Sequence, residues 1–250
     1  MNLGIFIPLK NYVSGLIKLL NFFEQLTFNK ITHVIIFDDH TDARYSDILH
    51  ALANELTFKF KILRICNSGN SVGLKWGLCQ IPDIAKGLEL NLGCICESDA
   101  VPNSKTFYNL VDTFKKYEKE HRLASTSPIY TWKDRVCYPT NPNWFKHGHG
   151  NCYHQWLDPE FGNLTMVDAV PFLFSLWNPY VFDIIGEDFP TFMHLDTKVG
   201  EALSKEGWRH IRLLDYSIIH EGGGRKSRTV KIDEDLQVCK QLMEEFHGKK

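Results

Sequence analysis

The stretch LNLGCICESDAVPN, residues 90–103, places two acidic side chains directly after an apolar run. The run, residues 90–96, has the length and composition of a buried β-strand. Glu97 and Asp99 follow where that strand ends, just before a Pro-Asn turn. Paired carboxylates in this position suit a hard divalent cation and the phosphates that it carries. A solvated turn is the alternative interpretation of the same two acids.

The residues before this stretch alternate between strand and helix patterns. Short apolar segments predict strands at residues 3–8, 33–37 and 58–65. Apolar residues at helical spacing predict helices at residues 13–23 and 46–56, around Trp76 and Leu78, and after Asn103. This alternation is typical of a mostly parallel central sheet with helices on both faces. We therefore predict an α/β fold of the Rossmann-like kind.

Polar residues and a glycine follow three of the predicted strands at their carboxyl ends. They are Asp38, Asp39, Asn67, Gly69, Glu97 and Asp99. Because ligands of such sheets bind beyond the carboxyl ends of the strands, we expect these residues to converge on one cleft. The alternatives are that Asp38 and Asp39 only form a turn and that residues 67–73 are an ordinary glycine-containing loop.

The second half of the chain is less regular than the first. Residues 125–161 are rich in aromatic residues and proline and have little periodicity, so we interpret them as a long excursion from the fold. Beyond it we predict an apolar strand at 167–177, a helix at 196–207, a strand at 211–219 that ends on His220, and an amphipathic helix at 232–246.

Composition narrows the class of protein. The 250 residues carry a formal net charge of -2, which favours neither nucleic acid nor an anionic membrane as a partner. Seven cysteines without a CxxC pair indicate a reducing compartment rather than a disulfide framework. The sequence has no apolar run long enough for a transmembrane segment and no signal-peptide pattern, so we expect a cytoplasmic protein.

Four segments, in order, carry a resemblance to a known family. They are VIIFDDHTD at 34–42, NSGNSVGLKWGL at 67–78, ESDAVPN at 97–103 and HLDTKVGEALSKEGWRHIRLLDYSIIHEGG at 194–223. Together they resemble the inverting, family-2-like glycosyltransferases with the glycosyltransferase-A fold. The resemblance implies one domain over residues 1–250, with a nucleotide-binding half at 1–120, an acceptor and catalytic half at 121–224, and a basic loop and helix at 225–250.

The same resemblance implies a metal-dependent sugar transfer with inversion at the anomeric carbon. Asp99 and Glu97 resemble the metal-binding acids, and His220 resembles a terminal histidine that completes the shell of Mn²⁺ or Mg²⁺. Asp196 matches the acid that removes the proton from the acceptor hydroxyl. Relatives place a glutamate before this acid, where the present chain has Leu195. Simple capping of a helix by Asp196 and a strand-end role for His220 are the alternatives.

The predicted donor is a UDP-, GDP- or dTDP-linked sugar, and the predicted acceptor is a carbohydrate or another hydroxyl compound. We assign donor contacts to Pro8, Asp38, Asp39, Asn67, Gly69, Glu97, Ser98 and Arg225. A solvated charge run is an equal interpretation of the segment around Arg225. A sugar-nucleotide nucleotidyltransferase and a non-catalytic nucleotide- or carbohydrate-binding protein of the same fold are the rival functions.

The excursion contains two further features with open interpretations. Its group of histidines and a cysteine consists of His147, His149, Cys152 and His154. This spacing does not match a structural zinc site, and a mobile lid and a plain surface loop are equal alternatives. The indoles of Trp144, Trp156 and Trp177 are candidates for stacking on an acceptor sugar, with core packing as the alternative.

Overall fold

The computed structural model describes residues 1–27, 30–64, 72–132, 135–137, 152–186, 189, 195–221 and 230–247. Its α-helices are α1 (Val13–Gln25), α2 (Ser46–Glu55), α3 (Val72–Gly87), α4 (Ser104–Tyr117), α5 (Leu195–Lys205) and α6 (Ile232–His247). Its strands are β1 (Leu3–Leu9), β2 (Ile31–Asp38), β3 (Lys59–Arg64), β4 (Leu92–Cys96), β5 (Ala100–Val101), β6 (Leu123–Trp132), β7 (Arg135–Cys137), β8 (Cys152–Asp158), β9 (Gly162–Val167), β10 (Phe174–Trp177) and β11 (Arg209–His220). Short 3₁₀ helices cover Ala43–Tyr45 and Pro179–Ile184.

The described strands form one mixed sheet in the order β3-β2-β1-β4-β10-β6-β11-β9-β8. The first four of these strands are parallel to one another. β10 then runs antiparallel to both β4 and β6, and β11 runs parallel to β6. β5 pairs with the end of β11, and β7 pairs with β6. The predicted α/β class, with a central sheet that is parallel in its core and flanked by helices, is confirmed.

Each face of the sheet has its own hydrophobic core. Along β1, Ile5 and Ile7 face a core that includes apolar residues of α1, α2, α4 and α6, whereas Phe6 faces a second core that includes residues of α3 and α5. All three side chains are fully buried. Because both faces are covered, the strand is apolar at consecutive positions, which is the pattern that the sequence predicted.

The interpretation of residues 125–161 as an excursion is wrong at both ends. β6 is a central strand of ten residues, and β8 and β9 extend the sheet to its far edge. Ser125, Thr126 and Ser127 of β6 are fully buried, so the strand lacks the apolar signature of its neighbours. The Thr126 hydroxyl donates to the Leu110 carbonyl, and the Ser125 hydroxyl lies 2.7 Å from His210 Nδ1. These bonds allow Ser125 and Thr126 to lie in the interior.

The predicted strand at 167–177 is two elements, since β9 ends at Val167 and β10 begins at Phe174. Trp177 is fully buried, and its Nε1 donates to Ser175 Oγ at 2.7 Å, so core packing is the correct interpretation of this indole. The remaining predicted helices and strands match the structure within a few residues. None of the helices in the described ranges is both long and apolar enough to cross a membrane.

Candidate metal and donor site

The acidic pair lies in a tight turn at the carboxyl end of β4. The Glu97 amide donates to the Leu173 carbonyl at 2.9 Å, and the Ala100 amide donates back to the Glu97 carbonyl at 3.0 Å. This turn places Asp99 in the interior, with only 6% of the residue exposed, and Glu97 is partly buried. The solvated-turn interpretation of Asp99 is therefore wrong, because a solvated carboxylate would be exposed.

The last long strand brings His220 to the same turn. β5 pairs antiparallel with the end of β11, so that His220 stands opposite Ala100, the residue after Asp99. The next residue along the chain, Glu221, donates its amide to the Asp99 carbonyl at 2.9 Å. Two backbone links therefore fix the end of β11 beside the acidic pair, although the two segments are more than 100 residues apart in sequence.

Glu97, Asp99 and His220 form a compact cluster of potential metal ligands. One carboxylate oxygen from each acid and one imidazole nitrogen lie within 4.8 Å of one another. His220 Nε2 is 3.1 Å from Asp99 Oδ2. The other Asp99 oxygen, Oδ1, is buried and accepts no hydrogen bond from any of the described residues. An inward-facing carboxylate oxygen without a donor is a position that a cation would satisfy.

The electrostatics of the cluster show an excess of negative charge. Burial raises the pKa of Glu97 to about 7, with help from the charges of Asp99 and Asp196 and against the effect of His220. Burial alone would lower the pKa of His220, but its hydrogen bond to Asp99 and the two nearby carboxylates raise it. A bound divalent cation would reverse the first shift, because it would stabilise the ionised form of Glu97.

Asp196, the predicted general base, lies in the first turn of α5. It follows the first helical residue, and its Oδ1 accepts the Thr197 amide at 2.8 Å. The side chain is partly exposed, and its charge contributes to the raised pKa of Glu97. Asp196 is therefore one of the charges that act on Glu97, and its role as general base stays a prediction.

The carboxyl ends of β1 and β2 form the neighbouring part of the rim. Asp38 is fully buried, and its Oδ1 accepts the Thr41 amide at 2.9 Å, which is a turn-forming role. Asp39 is more accessible and pairs with Lys10 Nζ at 3.2 Å. Pro8 lies in β1, opposite Phe37 of β2. Because β1 separates β2 from β4, the two acidic turns are about 10 Å apart along the sheet edge.

The other residues assigned to the donor fall into two groups. Ser98 lies inside the acidic turn and is 8% exposed. Asn67, Gly69 and Arg225 lie outside the described residues.

The histidine, cysteine and tryptophan residues of the middle segment are only partly described. Trp144, His147 and His149 lie outside the described residues. Cys152 and His154 lie on β8 at the far edge of the sheet. Trp156 is also on β8, where its Nε1 donates to the Tyr117 hydroxyl at 3.1 Å.

Sequence reasoning missed three residues that frame the cluster. The Tyr12 hydroxyl donates to Glu221 Oε2 at 3.0 Å, next to His220. Gly15 of α1 lies so close to the acidic turn that a Cβ atom there would be 2.3 Å from the Ser98 carbonyl oxygen. The glycine within an otherwise apolar helical stripe was the only local signal for this close approach.

Comparison with known proteins identifies the fold. No family model matches the sequence, and no curated protein matches it either. Among solved structures, S. aureus TarS 1–349 is 14% identical with a TM-score of 0.56, over 97% of this chain and 71% of that one. The mannosyltransferase PcManGT from Pyrobaculum calidifontis, in complex with GDP-Man and Mn²⁺, is 14% identical with a TM-score of 0.59, over 90% of this chain and 58% of that one. The chain has a glycosyltransferase-A-like fold.

Proposed function

We propose that this chain, with its glycosyltransferase-A-like fold, is a metal-dependent enzyme that transfers a sugar from a nucleoside-diphosphate donor to an acceptor hydroxyl. The observation that carries the proposal is the cluster of Glu97, Asp99 and His220 at the carboxyl end of β4. Its position matches the general rule that open α/β sheets bind ligands where the parallel strands end.

The residues present fit a divalent cation such as Mn²⁺ or Mg²⁺. Two carboxylates and one imidazole offer oxygen and nitrogen ligands, and the buried Asp99 Oδ1 accepts no hydrogen bond from the described residues. When bound, the ion would offset the charge of the leaving diphosphate as the sugar bond breaks. His220 would have to give up its proton, and its bond to Asp99, in order to act as a ligand.

We assign the role of general base to Asp196. A carboxylate that is partly exposed at the start of α5 is accessible to an acceptor hydroxyl and can accept its proton. The hydroxyl oxygen would attack the anomeric carbon as its proton moves to Asp196, and the nucleoside diphosphate would leave from the opposite face. Inversion follows from this single displacement.

The donor nucleotide would lie along the rim between β2 and β4. Asp39, which is more accessible than the turn-forming Asp38, is the better candidate for contact with the ribose or base. Ser98 and Glu97 lie where the diphosphate would approach the metal ligands. One structural neighbour is a mannosyltransferase in complex with GDP-Man and Mn²⁺, which supports a guanosine-linked sugar as the first donor to test.

The non-catalytic alternative rests on Leu195, which stands where relatives have a glutamate. In the structure Leu195 is 5% exposed and packs in the hydrophobic core between the sheet and α5. A carboxylate at this position would lie in that core rather than beside Asp196. Leu195 therefore takes no carboxylate away from the cleft, and its presence is not an argument for the binding-protein alternative.

The test is a thermal-shift screen of UDP-, GDP- and dTDP-linked sugars with and without Mn²⁺. A donor at 100 times its Kd stabilises the native state by about 2.7 kcal/mol. For a chain of this size that raises Tm by roughly 5 to 10 °C. We expect a shift from one donor class and a larger shift with Mn²⁺. The donor found in this way then goes into a turnover assay, and no response to any donor would overturn the proposal.

Asp196→Asn separates catalysis from binding in the same assay. We expect this variant to keep the thermal shift with donor and Mn²⁺ but to lose turnover, because the amide cannot accept the acceptor's proton. Unchanged turnover would show that the base is a different residue. Loss of donor binding would show that Asp196 acts on the donor rather than on the acceptor.

A further inference from the structure

A second buried carboxylate, Asp235 of α6, connects the C-terminal helix to the start of α1. It is 5% exposed, and its oxygens accept the Ser14 hydroxyl, the Ser14 amide at 3.3 Å and the Tyr45 hydroxyl at 3.0 Å. Cys239 Sγ, one turn further along α6, lies 3.6 Å from the same carboxylate. Asp235 thus joins α6 to both α1 and the 3₁₀ turn before α2.

The contact with Ser14 serves as a helix cap that α1 does not provide for itself. The N-cap residue of α1, Tyr12, makes no side-chain capping bond, and the first turn contains no acidic residue. Asp235 supplies both missing elements from 221 positions away in the sequence. It accepts one of the open backbone amides and places a negative charge at the positive end of the helix dipole.

The turn of α1 that Asp235 caps also contacts residues that are adjacent in sequence to the proposed metal ligands. Tyr12 donates to Glu221, which follows His220 and donates its own amide to the Asp99 carbonyl. Gly15, the residue after Ser14, packs against the carbonyl of Ser98, which lies between Glu97 and Asp99 in the sequence. A displacement of this turn would therefore move both segments that supply ligands.

We propose that Asp235 is a positioning residue for the metal site, acting through the first turn of α1 on the segments that carry Asp99 and His220. Docking of α6 then sets the geometry of a cluster to which α6 contributes no ligand. This inference rests on the proposed function only in taking Glu97, Asp99 and His220 as the metal ligands.

The experiment measures binding of Mn²⁺ alone to the full chain by the electron paramagnetic resonance signal of free Mn²⁺. The variants are Asp235→Asn, Tyr12→Phe and the double variant, each studied far below its own Tm. We expect each single change to weaken Mn²⁺ binding about tenfold, as the loss of a supporting partner beyond the ligands does. We expect the fold-loss of Mn²⁺ affinity in the double variant to be smaller than the product of the two single losses, because both changes act through one turn of α1.

Two control variants separate positioning from general loss of stability. Asp233→Asn changes an exposed acid in the same first turn of α6, which pairs with Arg44, and should leave the affinity for Mn²⁺ unchanged. Asp158→Asn removes an equally buried carboxylate on β8 and should lower Tm without changing the affinity. Equal loss of affinity in Asp158→Asn and Asp235→Asn would overturn the inference.

The remaining outcomes distinguish this inference from the proposed function. If the wild-type chain binds no Mn²⁺, the metal site itself is wrong and the inference fails with it. If the wild-type chain binds Mn²⁺ and Asp235→Asn binds it equally well, only the positioning role is wrong. If Asp235→Asn does not fold, Ser14→Ala takes its place, since it removes the hydroxyl that the carboxylate accepts.

Discussion

Two buried carboxylate sites in this molecule have opposite electrostatics. Asp158, at the far edge of the sheet, accepts the Tyr117 hydroxyl, Lys116 Nζ at 2.9 Å and the backbone amides of Glu160 and Phe161. Burial alone would raise the pKa of Asp158, but these bonds lower it well below its ordinary value. The pKa of Glu97, in the cluster of β4 and β11, is instead raised to about 7.

The difference shows which site has a structural role and which has capacity for a ligand. Asp158 has as many donors as a carboxylate needs, so its environment is complete without any added ion. Glu97 and Asp99 repel each other, and one oxygen of Asp99 accepts no bond from the described residues. A site with too little positive charge is stabilised by the cation that fills it, and its own residues need not stabilise the fold.

The largest expected effect is the loss of turnover on replacing Asp99 in the cluster, with little change in stability. Asp99→Asn should lower kcat/KM by about 10³-fold, because it removes a proposed metal ligand whose charge would stabilise the transition state. Without metal, the same change should alter Tm little, since it removes the repulsion with Glu97 and weakens the attraction to His220. Turnover with the donor found by thermal shift, together with a melting curve in a chelator, measures both. A large fall in the Tm of the metal-free protein would contradict the view that Asp99 serves function rather than stability.

The corresponding change at the other site should act on stability alone. Asp158→Asn is expected to lower the free energy of unfolding by about 2 kcal/mol, since it weakens the charge-assisted bonds of a buried carboxylate. Urea unfolding measures the change. The matched control is Asp112→Asn on α4, an exposed acid paired with Lys115, for which we expect less than about 0.5 kcal/mol. A loss of donor binding in Asp158→Asn would remove the distinction between the sites.

The lowered pKa of Asp158 also gives a pH dependence of known sign. A carboxyl whose folded pKa lies below its unfolded value stabilises the protein above the unfolded value, about 3.9, and loses that contribution as pH falls further. The difference in unfolding free energy between wild type and Asp158→Asn should therefore be constant from about pH 5 to 8 and narrow below about pH 4. Urea unfolding of both proteins across this pH range measures the difference. A difference that grows in acid would show that the pKa of Asp158 is raised rather than lowered.

The smallest effect concerns the packing that frames the cluster. Gly15→Ala should weaken Mn²⁺ binding about tenfold, because the new Cβ would push against both the Ser98 carbonyl and the Tyr12 ring. Gly87→Ala, in α3, is the matched control, since a Cβ there meets no atom within 4 Å. A calorimetric titration of Mn²⁺ into both variants compares them. Equal affinities would show that the acidic turn adjusts freely to α1.

Local patterns predicted the parallel half of the fold and the acids at its edge. Strands such as β1 and β2, covered on both faces, are continuous apolar runs that end in chemistry-bearing residues, so their positions follow from the sequence alone. The helix predicted after Asn103 is α4, and Asn103 caps it, since its Oδ1 accepts the Thr106 amide at 2.9 Å. These features depend only on residues that are neighbours in the chain.

Features that depend on distant partners were not predictable in this way. β6 was missed because it is rich in buried serine and threonine, and the partners of Ser125 and Thr126, which are His210 and Leu110, are not revealed by any local pattern. The pairing of Ala100 with His220 and the bond from Tyr12 to Glu221 depend on register between segments more than 100 positions apart. The resemblance to a family suggested His220, but the geometry of its approach required the fold.

The four-residue strand β10 has a consequence for how this protein assembles. It joins the two halves of the sheet, because it lies between β4 and β6 although it follows both in the chain. During synthesis, the N-terminal parallel strands can associate early, whereas the junction cannot close until β10 has emerged from the ribosome. The cluster needs a still later residue, His220. Binding of a divalent cation at the proposed site would thus mark a late stage of folding.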